Sequence, residues 1–481
     1  MEIIWLPLLL GGFLMAARPL RENRPAMTAY AAAALVLECG LAAFRALSPG
    51  FSVTLGWLAE DVEIALAMDG LSRLFLLLCS ALWLVCGVFS FGYLRKDKNA
   101  GWFFGVYLLV FGSMAGIACS ANLLTLYLFF EMLTLTSSLL VFYSGTHEAL
   151  MAGLKYLFYS IGGAFLALVG IFCLSRMDGG LVFRPGGVAL DTAALGGDGA
   201  LLVITFLMLA GLGAKAGMYP LHSWLPSAHP VAPAPASAVL SGLITKAGVF
   251  FAIRVVFYIV GADRLRGTWV QYAWMSLALL TVFMGSMLAY MEPVLKKRLA
   301  YSTVSQVSYV LFGLSLLTPV GMLGALLHMV YHAVAKCGLF LSAGSFITQT
   351  GCTRVDDLRG TGKPMPVTAG CFAAFGLSLV GIPPFSGFVS KWYLATGTAR
   401  ADIGFFQLLG PAVLLLSALL TAGYLFVPAV QAFFAPARAK TKEAPPVMTI
   451  PLILLAMLAL VCGLMAQPLM DFLTPIVGAV L

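Results

Sequence analysis

Apolar runs of roughly 20 residues recur along almost the whole chain, and that pattern leaves few folds open. A helix needs about 20 consecutive apolar residues to cross a bilayer, whereas a membrane β-barrel shows shorter alternating segments, so runs of this length predict helices. Fourteen spans are predicted, near residues 2–19, 26–47, 68–94, 101–119, 121–143, 150–175, 200–219, 236–260, 269–291, 299–317, 321–348, 366–395, 406–434 and 447–468, with a short hydrophobic tail after Asp471. Charged residues make up 10% of the 481, against about a quarter in a soluble globule, and the fold class is therefore an all-α polytopic membrane protein. The first run, residues 3–17, has no basic segment before it and reads as a span, not a cleaved signal.

The net charge of +8 does not point to nucleic acid, because the basic residues fall in connecting loops and form no basic domain. Their distribution sets an orientation instead, since Lys and Arg concentrate in cytoplasmic loops. Alternate loops carry Arg18, Arg21 and Arg24; Arg95, Lys96 and Lys98; Lys296, Lys297 and Arg298; Arg354, Arg359 and Lys363; and Arg438, Lys440 and Lys442. The opposite loops hold only Arg176, Arg184, Arg264, Arg266 and Arg400, with Arg45 near a helix end and the acidic Glu60, Asp61 and Glu63. A multi-pass protein of the cell membrane with both termini on the non-cytoplasmic side is expected. The nine cysteines show no CxxC and no metal spacing, and read as packing residues.

Few ionisable groups remain inside the spans: Glu38, Arg73, Glu131, Lys155, Lys215, Lys246, Arg254, His328, His332, Lys336 and Lys391. A lysine at the centre of a membrane helix costs roughly 2.5–3.5 kcal/mol, so such residues usually face a bundle interior or hydrated cavity and mark an ion path. Basic groups outnumber acidic ones here, and several lysines are expected to lack a permanent carboxylate partner. Burial penalises the charged form of an amine, so a lysine in this setting can relay protons. Lys215 and Lys246 flank a stretch with Pro220, Pro226, Pro230, Pro233 and Pro235 that is expected to interrupt the helix, since proline lacks a donor and clashes with the preceding turn. Broken backbone survives at membrane depth only where protein or a water-filled cavity satisfies it. The alternative is two lysines reaching to the interface and an ordinary loop.

Glu131, surrounded by apolar residues, is the candidate partner of Lys215 at about 4 Å. His328, His332 and Lys336 recur every four residues and share one helix face. A file of titratable groups suits that stripe, with a metal-binding pair or core packing as competing readings; HExxH is absent and no metal is expected. A second interruption is expected at Pro383 and Pro384, followed by Lys391. Paired broken segments in two halves point to inverted repeats with the ion path between them. Ser302, Ser305, Gln306 and Ser308 supply hydroxyls and an amide that could hold water or join helices.

Four segments, PLHSWLPSAHPVAPAPASAVLSGLITKAG, AYSTVSQVSY, HMVYHAVAKCGLFL and GIPPFSGFVSK, carry a resemblance that covers roughly residues 65–435. The chain resembles the antiporter-like proton-translocating subunits shared by respiratory complex I, Mrp-type sodium/proton antiporters and membrane-bound energy-converting hydrogenases. The resemblance implies one membrane domain, 1–481, of fourteen helices: an N-terminal three-helix segment (1–100), two inverted five-helix repeats (101–260 and 269–434), each with a broken helix, and a C-terminal helix and tail (447–481). It also implies a proton path through Glu131, Lys215, Lys246, His328, His332, Lys336 and Lys391. SGLITKAGVF and the lysine after GIPPFSGF are most similar to the Mrp D subunit and its hydrogenase relatives, while HPVAPAPA leans toward hydrogenase-type complexes. The long lateral helix of the largest complex I member is not expected.

No Gly-rich nucleotide loop, iron–sulfur cysteine set or haem motif occurs, so no cofactor is expected and electron transfer would fall to partners. The expectation is a proton-translocating subunit, with Na+ as a candidate second cargo, working with other membrane subunits in the lipid bilayer. A stand-alone transporter of a small solute and a non-translocating scaffold are the alternatives.

Overall fold

The computed structural model describes residues 2–59, 62–436 and 441–481. Glu60, Asp61, Arg438 and Lys440, assigned above to loops, lie outside the described residues. The chain begins with α1 (Glu2–Ala16), α2 (Arg24–Leu47), α3 (Gly70–Tyr93), α4 (Ala100–Cys119), α5 (Leu123–Val141), α6 (His147–Leu174) and α7 (Asp198–Ala216). After a break come the short α8 (Leu225–Val231) and the long α9 (Ala234–Val260). Next are α10 (Trp269–Met291), α11 (Leu295–Ser315) and α12 (Pro319–Thr350). A second break separates α13 (Pro366–Val380) from α14 (Ser386–Arg400), and α15 (Phe406–Phe434), α16 (Pro446–Leu464) and α17 (Gln467–Gly478) follow.

Among the described residues, eleven helices are long and apolar enough to cross a membrane. The other expected spans, α1, α11 and the α13–α14 pair, are not among the eleven. α9 forms the axis of the bundle: its apolar window is 100% buried inside the protein, against 28% for α16 at the rim. Without a hydrophobic drive between helices in lipid, close approach depends on small residues. Gly163 of α6 and Gly211 of α7 show it, since a Cβ on either would lie 2.4 or 2.2 Å from the other's carbonyl oxygen.

The sequence expectation differs from the structure in three places. The proline-rich stretch is not unwound throughout. Pro226 sits in the first turn of α8 and Pro235 in the first turn of α9, where a missing N–H costs nothing because those amides have no intrahelical partner. α11 starts at Leu295, four residues before the predicted span, so Lys296, Lys297 and Arg298 are helical and Lys296 is buried. An antiparallel hairpin, β1 (Ser52–Ala59) and β2 (Val62–Ala67), was not anticipated. It docks on α5 through the Ala65 amide, which donates to Thr125 Oγ1 at 3.0 Å.

Candidate functional site

α7 stops at Ala216 because Gly217 adopts φ +82°, a left-handed conformation that glycine reaches without strain. The Met218 amide then donates back to the Gly213 carbonyl at 2.7 Å, and Lys215 is fixed in the last turn. Its side chain is buried. Nζ donates to Tyr156 Oη at 2.5 Å and to Thr134 Oγ1 at 3.0 Å, and lies 4.5 Å from the centre of the Tyr156 ring. Ser137 of α5 holds the phenol in place at 2.6 Å.

The expected Glu131–Lys215 ion pair is not formed: among the described residues no N–O contact within 4 Å joins them. Glu131 and Thr134 stand three residues apart on one face of α5, so they compete for the same ammonium. Here Thr134 holds it, and Glu131 Oε1 is buried with no hydrogen bond.

Lys246 lies in α9 just after a π-helical turn, Leu240–Ile244, a feature that frequently marks functional positions. Its Nζ donates to the Ser241 carbonyl at 2.5 Å, which also accepts from Thr245 Oγ1 at 2.9 Å. One turn back on α9, Gly242 faces α12 so closely that a Cβ would lie 2.4 Å from Cys337 Sγ. Lys246 and Lys336 therefore stand at adjoining levels of two helices in contact. Lys336 Nζ donates to the Leu299 carbonyl of α11 at 3.1 Å.

The histidine stripe on α12 is formed as predicted, with the rings of His328 and His332 6.1 Å apart and 19° from parallel. His328 Nε2 meets Gln306 Oε1 at 3.1 Å, and Nδ1 meets Ser390 Oγ at 2.9 Å. Ser390 can donate to Nδ1, or turn its proton to the Gly387 carbonyl at 3.1 Å and accept from Nδ1. One hydroxyl rotation thus suits the same partners to the neutral or the charged ring. His332 is buried and neither ring nitrogen has a hydrogen bond.

Lys391 follows the second break, where Gly381 at φ +90° ends α13. Nζ donates to the Leu379 and Val380 carbonyls at 2.6 and 3.0 Å and lies 5.1 Å from the Tyr309 ring centre; that ring stacks on His328 at 5.2 Å. A continuous contact series thus runs from Lys391 through Tyr309 and His328 to His332. Ser302 and Ser305 join helices, through Tyr424 Oη at 2.8 Å and the Val282 carbonyl at 2.9 Å, whereas Gln306 belongs to the site.

Two buried groups went unnoticed in the sequence. His229 of α8 stacks on Phe340 with ring centres 4.6 Å apart, and both its nitrogens lack hydrogen bonds. Lys296, assigned above to a loop, donates from Nζ to the Pro230 carbonyl at 3.1 Å and to the Ala232 carbonyl. A cavity of about 390 Å³ beside it is lined by Asp97, Tyr143, Pro230, Ala232 and Lys296 among others. Hydropathy hid both residues, one in a proline-rich segment and one in a KKR cluster.

Among the described residues, none of Lys215, Lys246, Lys296, Lys336 and Lys391 is in an ion pair, nor does any group of three or more His, Cys, Asp or Glu residues stand ready to hold a metal. Arg254 contrasts with them. Its guanidinium is clamped by Asp69 at 2.5 and 2.9 Å, by Ser72 Oγ at 2.9 Å and by the Tyr258 ring at 4.3 Å, a structural tie between α3 and α9.

The family described as NADH:quinone oxidoreductase/Mrp antiporter, TM, matches residues 120–421, which contain every group in this series. The chain is 35% identical over 366 residues to NADH-quinone oxidoreductase subunit N of Desulforudis audaxviator, covering 76% of this chain and 71% of that one. It is 32% identical over 428 residues to hydrogenase-4 component B of Escherichia coli, covering 85% of this chain and 63% of that protein, whose length it spans by less than two thirds. The fold is similar to a subunit in the structure of the Mrp complex from Dietzia sp., with a TM-score of 0.85 at 22% identity over 99% of this chain and 96% of that one. By sequence match and by fold, this chain is a multi-pass membrane protein that belongs to the NADH:quinone oxidoreductase/Mrp antiporter transmembrane family.

Proposed function

We propose that this chain is a proton-translocating subunit of a multisubunit membrane complex, and that Glu131, Lys215, Lys246, His332, His328, Lys336 and Lys391 carry the protons. The observation that supports this most is the chemistry around the lysines: each ammonium is held by hydroxyl or carbonyl oxygens and none by a carboxylate. Neutral acceptors hold a charged donor without the Coulomb energy of an ion pair, so a proton can leave without stranding a buried anion. Lys296 and the cavity beside it form the cytoplasmic intake, with His229 next inward. Water carries protons between stations too far apart for direct transfer. Glu131 is the switch, drawing Lys215 away from Thr134 and Tyr156 when the pair closes.

The same reading gives fourteen crossings, with inverted repeats at 101–260 and 269–434 and both termini on the non-cytoplasmic side. The partners are other membrane subunits, because relatives are named as a subunit of an oxidoreductase and a component of a hydrogenase. Na+ exchange remains a second cargo to be tested on the assembled complex. Proton transport by that complex in vesicles, measured with a pH-sensitive dye, tests the reading. Glu131→Gln, Lys246→Ala and Lys391→Ala should each abolish coupled transport while the subunit still assembles, and undiminished transport in all three would overturn the pathway.

A further inference from the structure

A second cavity, sharing Asp97 with the one beside Lys296, lies where the α1–α2 and α3–α4 connections meet. A cavity of about 520 Å³ there is lined by six cations, Arg18, Arg21, Arg24, Arg95, Lys96 and Lys98, against two carboxylates, Glu22 and Asp97. Not all six are free. Arg18 pairs with Glu22 at 2.7 Å, and Arg24 donates to the Asp97 carbonyl at 2.5 Å and to the Leu94 carbonyl, which braces the two connections against each other. Arg21, Arg95, Lys96 and Lys98 have no ion pair among the described residues. Arg21 is the most committed of them. Its Nε is buried without a hydrogen bond, and its guanidinium lies 6.0 Å from the centre of the Trp102 ring. Gly101 permits that placement, since a Cβ there would come within 3.1 Å of the Arg21 side chain.

The basic cavity continues toward the membrane helices. It shares Asn99 and Trp102 with an adjoining groove of about 310 Å³ that runs between α4 and α5 over Phe103, Val106, Leu139 and Leu140. A cluster of cations at a helix end attracts any phosphate, but a cationic cup continuous with an apolar furrow along membrane helices matches one molecule: a headgroup phosphate with an acyl chain attached. Trp102, 44% exposed at the junction, is of the kind that anchors at the headgroup level.

We infer that this cup and groove form a binding site for an anionic phospholipid, its phosphate held by Arg21, Lys96 and Lys98 and one acyl chain laid along α4 and α5. The lipid would tie the N-terminal helices to the helix that carries Glu131.

The site can be tested on the full-length chain in detergent by native mass spectrometry, offered phosphatidylglycerol and phosphatidylcholine of the same chain length. Phosphatidylglycerol should be retained in preference, and Arg21→Gln, Lys96→Gln and Lys98→Gln should each lower retention by about fivefold. Leu139→Trp, at a position on the groove wall that is 37% exposed, fills the groove without touching a charge and should also lower retention, which separates a lipid from a bare anion and stands if a charge variant fails to fold. Equal retention of the two lipids, full displacement by millimolar inorganic phosphate, or unchanged retention in Leu139→Trp would overturn the assignment. So would finding the cup covered by an acidic segment of another subunit in the assembled complex.

Discussion

Arginine in place of Lys215 keeps a cation at the end of α7 and takes away its ability to give up a proton. The partners of Nζ are the hydroxyls of Tyr156 at 2.5 Å and Thr134 at 3.0 Å, and both accept from a guanidinium as readily as from an ammonium. Charge and hydrogen bonding therefore survive the substitution. The added bulk enters a packed site, where Gly248 of α9 is so near that a Cβ on it would lie 3.1 Å from the Lys215 Cβ, and overpacking of this kind costs about 1–3 kcal/mol. Proton release changes far more. The intrinsic acidities of the two side chains differ by at least about two pH units, so release should slow by about 100-fold or more. The assay is dye-reported acidification in vesicles bearing the assembled complex, normalised to the amount of subunit, with thermal stability of the complex measured in parallel. Transport within about twofold of the parent would show that Lys215 is a fixed charge, and the relay would have to be abandoned. Lys215→Ala cannot make that distinction, because it removes charge and proton together.

Asp69→Asn should lower the melting temperature of the purified protein, through a loss of about 2–3 kcal/mol, below the usual 3–5 for a broken buried pair because the Asp69 side chain is 39% exposed. An unchanged melting curve would mean that Ser72 and the aromatic rings hold Arg254 without the carboxylate charge. Gly387→Ala should displace α14, since the new Cβ would lie 1.8 Å from the Ser378 carbonyl oxygen, and transport should fall together with the stability of the break measured by hydrogen exchange. Single cysteines replacing Lys98 and Lys442 should react with an impermeant maleimide only from the cytoplasmic side; labelling of either from outside would reverse the proposed orientation.

Much of this arrangement was legible from residue type and spacing. Four-residue spacing put His328, His332 and Lys336 on one face, and glycine–proline punctuation located the break before Lys391. What spacing cannot carry is which helix meets which. Glu131 is the nearest carboxylate in sequence logic to Lys215, yet Thr134, one turn along the same face, and Tyr156 of α6 hold the ammonium, and sequence spacing does not show that α6 supplies that hydroxyl. His229 and Lys296 failed to register for a related reason. Each lies outside a hydropathy maximum, and their burial comes from neighbours remote in sequence, Phe340 for one and the Pro230 and Ala232 carbonyls for the other.

The carbonyls of Leu379 and Val380 at the end of α13 carry the negative pole of that helix, equivalent to about half an elementary charge, and Lys391 is what balances it. A neutral amine binds those oxygens more weakly and leaves the pole uncompensated in apolar surroundings. On the proposed relay, the two halves of the broken segment are therefore clasped by the same proton that would be passed on. Departure of that proton would loosen a mechanical joint, and its return would tighten it. Titration at this one nitrogen would thereby become force on the backbone, and the segment would signal its loaded or unloaded condition to whatever packs against it without any change in covalent structure.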